Sequence, residues 1–218
     1  MKLRLAIIYI KENKIMLGME KEILVLMSQV RCATEQQFNK FFSKKRKIIK
    51  SPYKKTLRRM CREFTLRKYP CNIVYGDYKD SSGIYYLNGG KVYKGKELLK
   101  MIIGSEIVLK MESSGYEIKR FYRNITVDND KYDIYIEYMN KDNELKQKLI
   151  DIKLNDIFKL SKYKNLKYKI RNSTIPFFEV PEVLLVTQEK NINEQRLKSI
   201  DENINFVDVN LKDLKKYL

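Results

Sequence analysis

A chain of 218 residues with 44% hydrophobic content suits one large domain or two small ones and has enough apolar material for a packed core. Its 45 Lys and Arg against 27 Asp and Glu leave a formal charge of +18, more than solubility requires, which favours a polyanionic partner. The chain has no histidine, and Cys32, Cys61 and Cys71 lack CxxC spacing, so Cys/His zinc sites, Ser-His-Asp and Cys-His catalysis are excluded.

What remains is chemistry by carboxylates, lysine, tyrosine or a metal held by oxygen. The opening "LAIIYI" is too short for a signal h-region or a membrane span and reads as a buried strand, so a soluble, cytoplasmic protein is expected. The charge is uneven. Residues 1–90 hold 20 of the 45 basic and 7 of the 27 acidic side chains, which puts most of the positive field in the first part.

"MEKEILVLMSQV" spaces Ile23, Leu24, Leu26, Met27 and Val30 as a helix does. In "ATEQQFNKFF", Thr34 with Gln37 three residues on forms a capping box, which predicts a second helix carrying Phe38, Phe41 and Phe42. "SPYKKTLRRMCREF" starts a third with Ser51 as N-cap and Pro52 at the first helical position. Tyr53, Leu57, Met60, Cys61 and Phe64 form its apolar stripe, and Lys54, Lys55, Arg58, Arg59 and Arg62 cover the rest. "CNIVY" and "GIYYL" then flank the turn-formers "GDYKDSS", which predicts a hairpin.

Three helices, the third strongly basic, followed by a hairpin is the order of a winged helix-turn-helix, whose third helix enters the DNA major groove. On this reading residues 1–90 form a DNA-binding domain with Lys54, Lys55, Arg58, Arg59 and Arg62 as contacts; a plain basic amphipathic helix beside a structural hairpin is the other account. "GIYYL" matches the first half of the GIY-YIG nuclease signature, but no second tripeptide follows, so Tyr85 and Tyr86 are taken as wing residues.

Residues 91–218 are expected to form a second domain, with the boundary at "NGGK". Residues 95–116 are helical in pattern, with a break expected at Gly104. "YEIKRFYR", "KYDIYIEYMN" and "KQKLIDIKL" predict a three-strand meander. "NDIFKLSKYKNLKYKI" predicts a helix, "EVLLVTQ" a buried strand, "NEQRLKSID" a short helix, "INFVDV" a strand and "LKDLKKYL" a last helix. The fold class is therefore α/β (α+β): a mixed sheet in an α-β-β-β-α-β core with flanking helices, behind a small winged-helix domain.

Strand alternation puts Asp133 on the face of Tyr135 and Glu137, and Asp151 and Lys153 on the face of Leu149 in the next strand. If the strands pair, Asp133 and Asp151 converge, and two such carboxylates call for a cation such as Mg2+ or Mn2+ between them.

An acid on one strand followed by D/E-x-K on the next resembles the PD-(D/E)XK nuclease superfamily. Tyr132 stands where the superfamily name has proline. "GSEIVLKMESSGYEIKR" looks like the opening helix and strand of archaeal Holliday junction resolvases, and "GIYYLNGGKVYKGKELL" resembles the winged-helix region of replication-relaxation proteins of plasmids and viruses. The first resemblance implies a divalent-metal-dependent endonuclease. Asp133, Asp151 and Glu106 would serve as metal ligands, Lys153 would act on water or the scissile phosphate, and a homodimer is implied, with no small-molecule cofactor. Glu137 and Asp130 are rivals for the metal, and Glu112 for the helix position. A non-catalytic DNA-binding regulator that keeps the nuclease fold, and an interaction protein that binds RNA, are the alternatives.

Overall fold

The protein is described here by a computed structural model covering residues 18–46, 52–76, 78–154, 159–188 and 203–218. The expected strand at "LAIIYI", the expected helix at "NEQRLKSID" and residues 155–158 lie outside the described residues. Among the described residues the architecture is mixed α/β, with five α-helices, a five-stranded mixed sheet and two small antiparallel sheets in the first part. No described helix is long and apolar enough to cross a membrane.

Helix α1 (Gly18–Val30) buries Ile23, Leu26, Met27 and Val30, the stripe that its spacing predicts. Arg31, at φ 67°, ends it and leads into β1 (Cys32–Thr34), a strand that the sequence pattern did not reveal. The capping box of α2 (Glu35–Arg46) is formed. The Thr34 N–H donates to Gln37 Oε1 at 3.0 Å and the Gln37 N–H to Thr34 Oγ1 at 3.2 Å. Phe38, Phe41 and Phe42 pack inward from α2, as expected.

Helix α3 (Pro52–Arg62) buries Tyr53, Leu57 and Met60 at i, i+4 and i+7. Cys61, partly buried, packs against the same core and is the last residue of the expected stripe to do so. Phe64 adopts φ 55° beyond the helix end, which turns its ring out to 75% exposure.

The hairpin is wired differently from the expectation. "CNIVY" does not pair with "GIYYL": β3 (Ile73–Tyr75) pairs with β4 (Tyr78–Asp80) across Gly76 at φ 54°. Strand β5 (Gly83–Leu87) lies instead between β1 and β2 (Leu66–Pro70), antiparallel to both. Tyr85 and Tyr86 are consequently buried on a central strand rather than displayed on a wing.

Helix α4 (Gly95–Ser113) is buried on every side from Met101 to Leu109. Leu99, Ile103, Ile107 and Met111 face the large sheet, Val108 and Leu109 the core of α1–α3, and Met101 and Ile102 a cluster with Cys32, Cys71 and Tyr86. Gly104 does not break this helix. A Cβ there would lie 2.5 Å from Arg123 Nη1 and 2.6 Å from Ile134 Cδ1, so the glycine is a notch through which Arg123 passes.

The large sheet runs β10-β9-β8-β7-β6, with β6 (Glu117–Val127), β7 (Asp130–Met139) and β8 (Leu145–Lys153) as the expected antiparallel meander. Strands β9 (Glu182–Thr187) and β10 (Ile204–Asp208) continue it in parallel. One face packs on α4. The other is covered by Tyr163, Leu166, Ile175 and Phe177. The long helix expected after β8 appears, among the described residues, as α5 (Leu166–Lys169) between two 3-10 turns, with Asn165 at φ 55° ahead of it. The expected last helix is a 3-10 turn, Leu214–Tyr217.

Helix propensity alone favours Gly104→Ala by about 1 kcal/mol. Overpacking against Arg123 and Ile134 costs about 1–3 kcal/mol and should win. Urea unfolding of Gly104→Ala is therefore expected to show a lower stability than wild type; an increase would mean that the notch is not needed.

Candidate active site and nucleic-acid interface

Two polar constellations stand out against this core. The first lies where β7 and β8 part. Their register runs from Met139 opposite Leu145 to Ile134 opposite Ile150. One residue further, the Asp133 carboxylate takes over as acceptor, receiving the Ile152 N–H at 2.7 Å. Alternation also slips here. Tyr132 and Tyr135 belong to the same cluster, so Asp133 does not simply share the face of Tyr135 and Glu137 as the two-residue period predicts.

Lys100 of α4 donates to both Asp133 oxygens, at 2.8 and 2.9 Å. Asp151, on β8, receives the Tyr163 hydroxyl at 2.6 Å and faces the Lys153 ammonium at 3.2 Å. Lys162 pairs with the same Asp151 oxygen, Oδ2, and also donates to the Lys131 carbonyl. Its ammonium lies 4.2 Å from the centre of the Tyr132 ring.

The site thus joins three of the four residues expected from sequence, Asp133, Asp151 and Lys153. Glu106 is not brought to them. It sits on α4 with its carboxylate 3.6 Å from Lys40 of α2, and Lys100 is the α4 side chain that reaches Asp133. Among the described residues no three acidic or cysteine side chains are gathered closely enough to hold a metal. The rivals are also engaged elsewhere: Asp130 pairs with Lys169 at 2.6 Å, and Glu137 joins Tyr135 and Gln147 further along β7.

Burial raises the Asp133 carboxyl above the usual aspartate range, against the pull of Lys100, and the nearby Asp151 charge adds to the rise. Burial pushes Asp151 the same way, but Lys162, Lys153 and the Tyr163 hydroxyl outweigh it and hold that carboxyl below its ordinary value. Lys162 is itself pulled below the usual lysine range by burial, with Asp151 opposing. The cluster therefore sets three ammonium groups around two carboxylates of opposite tendency.

A magnesium ion commonly uses one or two protein carboxylates plus water and substrate phosphate. Asp133 and Asp151 meet that donor chemistry. The bonds to Asp151 all fall on Oδ2, and Lys100, 36% exposed, is the partner able to leave Asp133. Sequence reasoning missed Lys100, Lys162 and Tyr163. The one available signal was Lys100 beside the apolar stripe of Leu99, Ile103 and Ile107.

The second constellation is a groove of about 790 Å³ beside α3, lined by Lys54, Lys55, Arg58, Cys61 and Arg62 together with Lys68 of β2 and Tyr85 of β5. Four of the five expected contacts line it. Arg59 does not, because its guanidinium turns toward α1 and binds Glu20 at 2.8 Å. No family model, curated protein or solved structure matches this chain.

Asp151 and Asp133 are expected to behave oppositely toward amidation. Asp151→Asn strands the Lys162 ammonium, 8% exposed, and should cost about 3–5 kcal/mol at neutral pH. Asp133→Asn keeps an acceptor for Ile152 and removes a charge that burial disfavours, so it should cost less. Because the folded pKa of Asp151 is depressed, its contribution is present above the unfolded-state value of about 3.9 and is lost as pH falls through the folded one. Urea titrations across pH should show the Asp151→Asn deficit shrinking only in acid; equal deficits for both variants would contradict these assignments.

Proposed function

We propose that this chain is a DNA-binding, divalent-metal-dependent endonuclease of the PD-(D/E)XK type, in which a winged helix-turn-helix delivers DNA to the large sheet. The observation that carries the reading is that the Asp133 carboxylate accepts the N–H of Ile152, the residue between Asp151 and Lys153, close enough for the Asp151 charge to act on it. It is supported by the order α4-β6-β7-β8 followed by a parallel β9, which accords with the element order of that superfamily. The winged-helix part is supported by the sheet order β1-β5-β2 around three helices, with the basic face of α3 open to the groove.

Asp133 and Asp151 would hold Mg2+ or Mn2+, whose chemistry when bound is Lewis-acid stabilisation of charge on the scissile phosphodiester and activation of water. Lys153, partly exposed, would donate to a phosphate oxygen. Lys162 and Tyr163 fix the rotamer of Asp151 from the interior. Lys100 balances Asp133 until another cation takes its place.

One observation favours a second reading, a DNA-binding regulator without catalysis: both carboxylates already have ammonium partners, so the cluster is neutralised without a metal. Cleavage of linear, supercoiled and branched DNA with Mg2+ or Mn2+, with Asp133→Asn and Lys153→Ala beside wild type, separates the two. The endonuclease reading expects wild type to cut and each variant to lose on the order of 100-fold or more. Equal cutting by all three would sink the site, and no cutting by any, with duplex binding intact, would establish the regulator.

A further inference from the structure

The basic groove contains a feature that the contacts expected from sequence do not explain. Glu35, the first residue of α2, sends its carboxylate to three side chains that line the groove. There Oε2 lies 2.9 Å from the Lys68 ammonium and receives the Tyr85 hydroxyl at 3.3 Å, while Oε1 lies 3.7 Å from the Lys54 ammonium. Three donors from α3, β2 and β5 thus converge on one anion, and all three line the groove.

The arrangement is built into the backbone. The stem of Lys68 lies flat across β5 at Gly83, where a Cβ would come within 2.0 Å of its Cε. The Lys68 ammonium also sits 5.4 Å from the centre of the Tyr85 ring. Two ammonium groups and a phenol around two oxygens are the donors that a backbone phosphate takes. None of the residues lining the groove is acidic, so Glu35 supplies the negative charge that these three meet.

We infer that these donors form a seat for a backbone phosphate of duplex DNA, and that Glu35 is an internal occupant which the phosphate must displace. The inference rests on the DNA-binding reading and adds to it the second wall, Lys68 and Tyr85, and a residue that limits affinity. Glu35 then acts as a brake on indiscriminate binding: a chain of charge +18 otherwise attracts any polyanion, and an occupied seat raises the threshold. The Lys68 hydrogen bond holds the Glu35 carboxyl below its ordinary value and raises that of Lys68, so only a competing anion, not mild acidification, frees the seat.

The test is the affinity of the full chain for a duplex oligonucleotide, measured over a range of salt concentrations for wild type, Glu35→Gln, Glu97→Gln and the triple change Lys54→Ala, Arg58→Ala, Arg62→Ala. Glu35→Gln is expected to bind about 3–30-fold tighter, with a salt slope steeper by about 1–2, since one or two more ammonium groups then release counterions. Glu97→Gln removes an equal charge from an exposed pair with Lys91 and should change neither quantity. An unchanged or weaker Glu35→Gln, or equal tightening by both glutamine variants, overturns the inference. If wild type does not bind, or the triple change leaves binding as it was, the DNA-binding reading itself fails.

Discussion

The passage of Arg123 through the notch at Gly104 is the contact on which the rest of the molecule depends. From β6 its Nη2 donates to the Val30 carbonyl in the last turn of α1 at 3.3 Å, to the Met101 carbonyl of α4 at 3.2 Å and to Ser105 Oγ at 3.3 Å. Ser105 passes the link on, donating to the Cys32 carbonyl of β1 at 2.7 Å. A cation at the carbonyl end of α1 is favoured by the helix dipole as well as by the hydrogen bonds. Burial lowers the Arg123 pKa to about 10, which leaves it charged at neutral pH.

Through that one side chain the three-helix part, α4 and the large sheet share a frame. Both polar constellations hang from it. Glu35 follows β1 directly, and β1 is bound by Ser105; Lys100 precedes Met101, the residue whose carbonyl Arg123 holds, and Lys100 in turn fixes Asp133. Residues that adjoin the Arg123 and Ser105 contacts therefore lead into both places, Glu35 at the groove and Lys100 at the strand-parting site. In both places a carboxylate and lysines balance each other, Glu35 against Lys54 and Lys68, Asp133 against Lys100.

The sequence was legible where a single period or a local signature governed the outcome. Thr34 with Gln37 gave the start of α2, the spacing of Tyr53, Leu57 and Met60 gave the inner face of α3, and the alternation of Ile150, Ile152 and Leu154 gave the core side of β8. It misled where tertiary contacts overrode local pattern. Gly104 reads as a helix breaker, yet serves Arg123 from a distant strand. "GIYYL" pairs with β1 and β2 because Tyr85 and Tyr86 are needed in the core, while the adjacent turn closes its own small hairpin. In the candidate site the Asp-x-Lys pattern was readable, whereas Lys100, Lys162 and Tyr163 come from elements with no fixed spacing to it. Glu106 was assigned by resemblance to a helix position, and its angular place on α4 directs it to Lys40 instead.

The central proposal is that the Asp133 and Asp151 carboxylates would together hold one cation. It is tested most directly by anomalous diffraction from crystals grown with Mn2+ and duplex DNA. The account predicts an anomalous peak bound by Asp133 and Asp151, with the Lys100 ammonium displaced from Asp133 and Lys162 still on Asp151. Absence of any peak there, with Lys100 remaining on Asp133 while DNA lies along α3, would contradict it.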